Sequence, residues 1–165
     1  MLSQTLIWGS VVGLAHFMII GLLYGNPLVD RVYKEAQDSE PGVRKWPSMP
    51  AYMVRQFLGT QVEIYILAGA YLWLRGLVPY EGYTAALVLG ALFAGLRVYP
   101  RFWNMWIQST YPNRLLAIEL VNGFISTLVV TMALQLLVSL NRAHEKKNPT
   151  GPAAPATVPR VAPAG

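Results

Sequence analysis

The chain has 165 residues, 54% hydrophobic and 13% charged, with 13 Lys and Arg against 8 Asp and Glu for a net charge of +5. Soluble domains carry about 25% charged residues, so this composition excludes a soluble catalytic domain and points to a polytopic membrane protein. The lack of any cysteine removes disulfides, thiolate metal sites, iron–sulfur ligation and cysteine nucleophiles, and basic residues scattered among loops form no face for nucleic acid.

Residues 6–24, 57–78, 83–99 and 115–140 each approach or exceed the roughly 20 apolar residues that cross a bilayer. They predict an all-α fold, a bundle of four transmembrane helices. The first helix is expected over about residues 5–24 and stops at Tyr24-Gly25-Asn26-Pro27, where glycine and proline interrupt it. Nothing basic precedes it and that tetrapeptide is no small-residue cleavage site, so it is read as a retained helix rather than a signal peptide.

Residues 25–51 form the one sizeable polar loop. Its first part predicts a short surface helix that turns Val29, Val32, Tyr33 and Ala36 toward lipid. The remainder, with Pro41, Pro47 and Pro50, reads as an extended linker. A second helix is expected over about 52–77 and a third over 83–108, joined by a turn so short that the two should be antiparallel neighbours. The third is carried through Pro100, because proline kinks a membrane helix more often than it ends one. After the turn at Tyr111-Pro112-Asn113 a fourth helix follows over about 115–140, which makes residues 1–147 the membrane domain. Residues 148–165, rich in Pro and Ala, are expected to be disordered.

Four spans put both termini on one side. The side with the loops between helices one and two and between three and four carries more Lys and Arg than the opposite side, and the positive-inside rule then predicts cytoplasmic loops and outward termini in a cell (inner) membrane. Trp103, Trp106, Tyr99, Phe102 and Tyr111, with Trp46 and Tyr52 at the same level, read as an interfacial aromatic belt.

Ionisable groups in hydrocarbon cost a few kcal/mol each and need a partner or a purpose. His16 lies about eight residues before the end of the first helix, roughly 12 Å deep at 1.5 Å per residue, and Glu63 and Glu119 fall in the same leaflet. Arg97, Arg101, Asn104 and Gln108 recur at helical spacing on the third helix. Gln56, Thr60 and Glu63 form a second row, and Glu119, Asn122 and Ser126 a third. The three rows are expected to meet, with Arg97 and Arg101 neutralising Glu63 and Glu119. Three readings follow: interhelical glue that fixes packing, a loop-side pocket for an anionic or amphipathic ligand, or a proton or ion path. The last is weakened because the opposite leaflet offers only Gln135 and a few hydroxyls. No metal is expected, since two arginines crowd the His16, Glu63 and Glu119 group, and His144 lies too far out for bis-histidine haem. Gly9 and Gly13, extended by Gly21, form a small-xxx-small face suited to close helix packing.

Tyr24-Gly25-Asn26-Pro27-Leu28, the charged loop leading to Met49 and Tyr52, and Pro112-Asn113-Arg114 before Ile118-Glu119 resemble small four-helix bacterial membrane proteins of unknown function, whose first helix ends in Tyr-Gly-Pro. Here Asn26 precedes the proline. Glu63 with Ile64-Tyr65, Gly95-Leu96-Arg97-Val98-Tyr99 and Arg114 are similar to the glutathione-binding positions of the membrane-associated proteins in eicosanoid and glutathione metabolism. That resemblance implies a pocket for glutathione or a lipid. Thr60 stands where that family has an asparagine, and Pro100 and Asn104 where it has a histidine and a tyrosine, so the usual catalytic side chains are missing.

Taken together, the sequence predicts a small integral membrane protein without catalytic residues, an accessory, scaffolding or lipid-interacting component with no cofactor. Its expected partners are membrane lipids and either further copies of itself or a larger membrane complex. The alternative is a small membrane enzyme that binds glutathione or a lipid in the loop-side pocket.

Overall fold

The structure, a computed structural model, describes residues 2–45 and 48–147. The expectations for the 148–165 tail and for Trp46 in the aromatic belt lie outside the described residues. Five helices follow one another: α1 (Leu2–Gly25), α2 (Pro27–Ser39), α3 (Met49–Leu74), α4 (Gly82–Gln108) and α5 (Asn113–Lys147). All but α2 are long and apolar enough to cross a membrane, giving a multi-pass membrane protein. Ile7, Val11, Leu14, Met18 and Leu22 of α1 and Val54, Leu58, Val62 and Ile66 of α3 are exposed at intervals of three and four. Such apolar stripes belong against lipid tails rather than water.

Local chemistry sets the helix ends. Asn26 stops α1 and starts α2 at once: its Nδ2 donates to the Leu23 carbonyl at 2.6 Å, while its Oδ1 accepts from the Leu28 and Val29 amides at 3.1 Å. Pro27, at the first turn of α2, has no N–H to satisfy there. Gly82 opens α4 with φ +57°, a left-handed conformation that glycine adopts without a Cβ penalty. Pro100 sits within continuous α4. The 35 residues of α5 span about 52 Å at 1.5 Å per residue, well beyond a hydrocarbon core of about 30 Å. Its last turn, with His144, Lys146 and Lys147, therefore projects outside the apolar zone.

Packing departs from expectation in two places. The short connection does not make α3 and α4 packing partners: α4 lies along α5, α3 lies along α1, and contact of α1 with α5 joins the two pairs, while α3 and α4 barely touch. Small residues explain the choice, since within lipid there is little hydrophobic drive between helices and close approach decides which of them pair. Ala86, Gly90 and Ala94 let α4 approach α5. A Cβ at Gly90 would stand 2.5 Å from Thr131 Oγ1, and one at Gly123 would stand 2.9 Å from Val98 Cγ1.

The second departure is α2. Val32, Tyr33 and Ala36 turn not toward lipid but onto the protein, in a cluster with Val43, Leu115, Tyr111 and Ile118. Ala36 and Leu115 are fully buried there. Polar contacts from α2 to α5, described below, hold the helix in that position.

The core proper occupies the terminus-side half of the bundle. Ile64, Leu67, Ala68 and Tyr71 of α3 meet Leu89 and Phe93 of α4, Val130, Leu134 and Val138 of α5, and Val12 of α1. The loop-side half is different, because the helices there enclose a space.

Candidate functional site

A cavity of about 200 Å³ lies between all four spanning helices in the loop-side half. It exists because α3 and α4 stand apart, so that long polar side chains rather than packed small ones fill the gap. Eight of the expected polar residues line it: His16 from α1, Gln56, Thr60 and Glu63 from α3, Arg97 and Arg101 from α4, and Glu119 and Ser126 from α5. Its apolar wall includes Ile20, Phe102, Leu116 and Leu120.

Arg97 bridges three helices. Its Nε and Nη2 donate to the two carboxylate oxygens of Glu63, the second at 2.6 Å, and its Nη1 donates to Thr127 Oγ1 at 2.7 Å. The planar guanidinium fork matches a carboxylate geometrically, which makes this the strongest kind of side-chain pair. Thr127 passes its own proton to the Gly123 carbonyl at 2.7 Å, leaving an oxygen lone pair for the arginine.

Glu119 is held differently from the expectation. Among the described residues no arginine pairs with it; Tyr33 donates to Oε1 at 2.6 Å and Tyr24 to Oε2 at 3.2 Å, and the two phenol rings pack edge to face with centroids 5.8 Å apart. The correction has a simple cause: the end of α1 brings the Tyr24 hydroxyl, and the α2 fold-back the Tyr33 hydroxyl, onto the carboxylate. Arg114 adds a surface tie to Glu35 of α2 at 3.2 Å. Burial, and next the Glu119 charge, push the Tyr33 phenol well above its ordinary pKa, so it remains a donor. The same two causes raise Tyr111.

Two cavity residues have no such satisfaction. His16 is 2% exposed, and neither ring nitrogen has a hydrogen-bond partner. Arg101 lines the cavity with no hydrogen bond or ion pair to another described residue. Asn122 is buried beside the site, its Nδ2 also without a partner, but it does not line the space.

The other expected residues lie elsewhere. Asn104 and Gln108 share the Arg97 face of α4 but are exposed and off the cavity. Gly9 and Gly13 sit against α3. A Cβ at Gly9 would fall 2.6 Å from Tyr65 Cδ1, and one at Gly13 would collide with the Gln61 carboxamide, whose Nε2 donates to the Gly9 carbonyl at 3.0 Å. Gly21 faces open space at the bundle surface. Sequence reasoning missed Tyr33, Tyr24 and Thr127 as members of the cluster, and read Tyr52, which lines the cavity, as belt only. Only Thr127 left a trace, falling two helical turns after Glu119.

No curated protein and no solved structure shows significant similarity to the chain. A family model does match, over residues 8–135, from the first span into the last and across every residue that lines the cavity. The chain therefore belongs to the family described as protein of unknown function, DUF1761.

Proposed function

We propose that this protein is a non-catalytic, lipid-interacting component of its membrane, and that the loop-side cavity is where it holds the polar end of an amphiphile. One observation carries this reading: His16, at 2% exposure and facing the cavity, has no partner on either ring nitrogen. Buried polar groups are nearly always hydrogen-bonded, and an exception calls for a ligand or water.

Size and position point the same way. Pockets for whole drug-sized molecules run to roughly 300–1,000 Å³, so a space of about 200 Å³ suits a head group whose chains stay in the bilayer. A catalytic role has less support, because Glu63 and Arg97 are engaged with each other and Glu119 with two phenols. An accessory part in a larger membrane complex fits the same site if the lipid is shared with a partner.

The test is native mass spectrometry of the full chain released gently from its membrane. A retained lipid in wild type that is lost in Arg101→Ala supports the reading. A lipid-free protein that instead binds glutathione saturably, with Arg97→Ala weakening that binding, would overturn it in favour of the small-enzyme alternative.

A further inference from the structure

Two charges in the cavity lack counter-charges. Among the described residues Arg101 has no carboxylate within ion-pair distance and Glu119 has no cation within that distance. Glu119 is met only by the neutral phenols of Tyr24 and Tyr33. Both charges nevertheless line one space of about 200 Å³. Opposite charges attract, yet these two form no ion pair with each other, Glu119 being half-buried and Arg101 exposed. A purely anionic guest would be drawn by Arg101 and repelled by Glu119. For a purely cationic guest the two roles are exchanged.

We propose that the cavity recognises a zwitterionic head group: a phosphate or carboxylate at Arg101 and an ammonium at Glu119. The inference rests on the lipid-binding reading above and names the ligand class. Arg101 offers its guanidinium fork to the anion. A carboxylate has about four lone-pair sites, and the two tyrosines use one on each oxygen, so Glu119 keeps capacity for an ammonium donor. His16, about 14 Å inboard of the end of α1 at 1.5 Å per residue, presents its unpartnered nitrogens to the ester or hydroxyl oxygens that lie on the chain side of such a head.

The experiment uses full-length protein in detergent, exchanged against vesicles of phosphatidylethanolamine or phosphatidylglycerol, with bound lipid counted by native mass spectrometry. Free phosphoethanolamine serves as a soluble competitor. Wild type should retain the zwitterionic lipid in preference to the anionic one. Arg101→Gln should weaken binding of both lipids about tenfold, the scale of one charge-assisted contact. Glu119→Gln should abolish the preference while retaining binding of the anionic lipid. Neither change threatens the fold, since Arg101 makes no hydrogen bond or ion pair with another described residue and a glutamine at 119 still accepts from Tyr33. Displacement by free phosphoethanolamine at similar affinity keeps the zwitterionic chemistry and assigns the ligand to a soluble source. Wild-type preference for phosphatidylglycerol, or a preference unchanged in Glu119→Gln, overturns this inference and leaves the lipid-binding reading intact. Failure to retain either lipid or the free head group overturns both.

Discussion

Arg97 and Glu63 face each other across the gap between α4 and α3 as a two-pronged ion pair, and the third arm of the same guanidinium reaches Thr127 on α5. With α3 and α4 otherwise barely in contact, this pair is the main link between them at that depth. The pair is only partly buried, with the Arg97 and Glu63 side chains 25% and 37% exposed, so removing one member costs less than the roughly 3–5 kcal/mol of a fully buried pair. Arg97→Ala should therefore lower the midpoint of thermal unfolding in detergent markedly. Arg97→Lys should restore only part of the loss, because an ammonium cannot fork, and Arg97→Ala combined with Glu63→Ala should be less harmful than Arg97→Ala alone. Equal midpoints for the single and double alanine variants would show that the pair does not couple the two helices.

Glycines at the α4–α5 seam and at the α3 surface should respond unequally to the same change. Gly90→Val places methyl groups where Thr131 and Leu128 already stand and should cost about 1–3 kcal/mol by overpacking. Gly59 has no atom within 4 Å of a would-be Cβ, so Gly59→Val should leave the unfolding midpoint nearly unchanged. Comparable losses at both positions would mean that Gly59 is covered in the membrane by a surface this single chain does not show.

How much of this was legible in the sequence follows from the range of each signal. Span identity rests on local apolar content, and the run from Tyr83 through Pro100 to Gln108 could be read as one helix because the rule for proline in membranes is local too. The meeting of Glu63 with Arg97 was within reach because both lie in polar rows of fixed helical period. What escaped was set by the third dimension: nothing near Glu119 in the chain announces a phenol 86 residues away, yet Tyr33 takes the place expected for Arg101. Helix order escaped for a related reason. A short turn limits how far apart two helix ends stand, but the Ala86, Gly90 and Ala94 seam decides what α4 lies against, and it favours α5 over α3.

Tyr71 and Gln135 make a polar contact in the terminus-side core, the hydroxyl donating to Oε1 at 2.8 Å with both side chains buried. Gln135 Nε2 in turn donates to Ser139 at 3.2 Å. Hydrogen bonds between membrane helices are worth about 0.6–1.7 kcal/mol, so Tyr71→Phe should lower stability by that amount. Lipid retention in the cavity should not change, since neither residue lines it. Loss of bound lipid in Tyr71→Phe at unchanged stability would tie the two halves of the bundle together in a way that this geometry does not.

The docking of α2 should weaken in alkali through Tyr33. Burial and the Glu119 charge raise its phenol above the ordinary value of 10.0, and Tyr24 and Tyr111 are further titratable neighbours. A raised folded-state pKa means that above about pH 10 the unfolded phenol gives up its proton while the folded one still holds it. The contribution of Tyr33 to stability is thus fully present below that pH and is lost as pH climbs toward the folded-state value. Tyr33→Phe should be less stable than wild type at pH 8, because Glu119 Oε1 loses its 2.6 Å donor, and the gap between the two proteins should narrow above pH 10. Unfolding midpoints for both proteins across that range provide the measurement. A gap that stays constant to pH 11 would show that folding does not raise the Tyr33 pKa, and no gap even at pH 8 would show that Tyr33 contributes through packing alone, in which case Glu119 would depend chiefly on Tyr24.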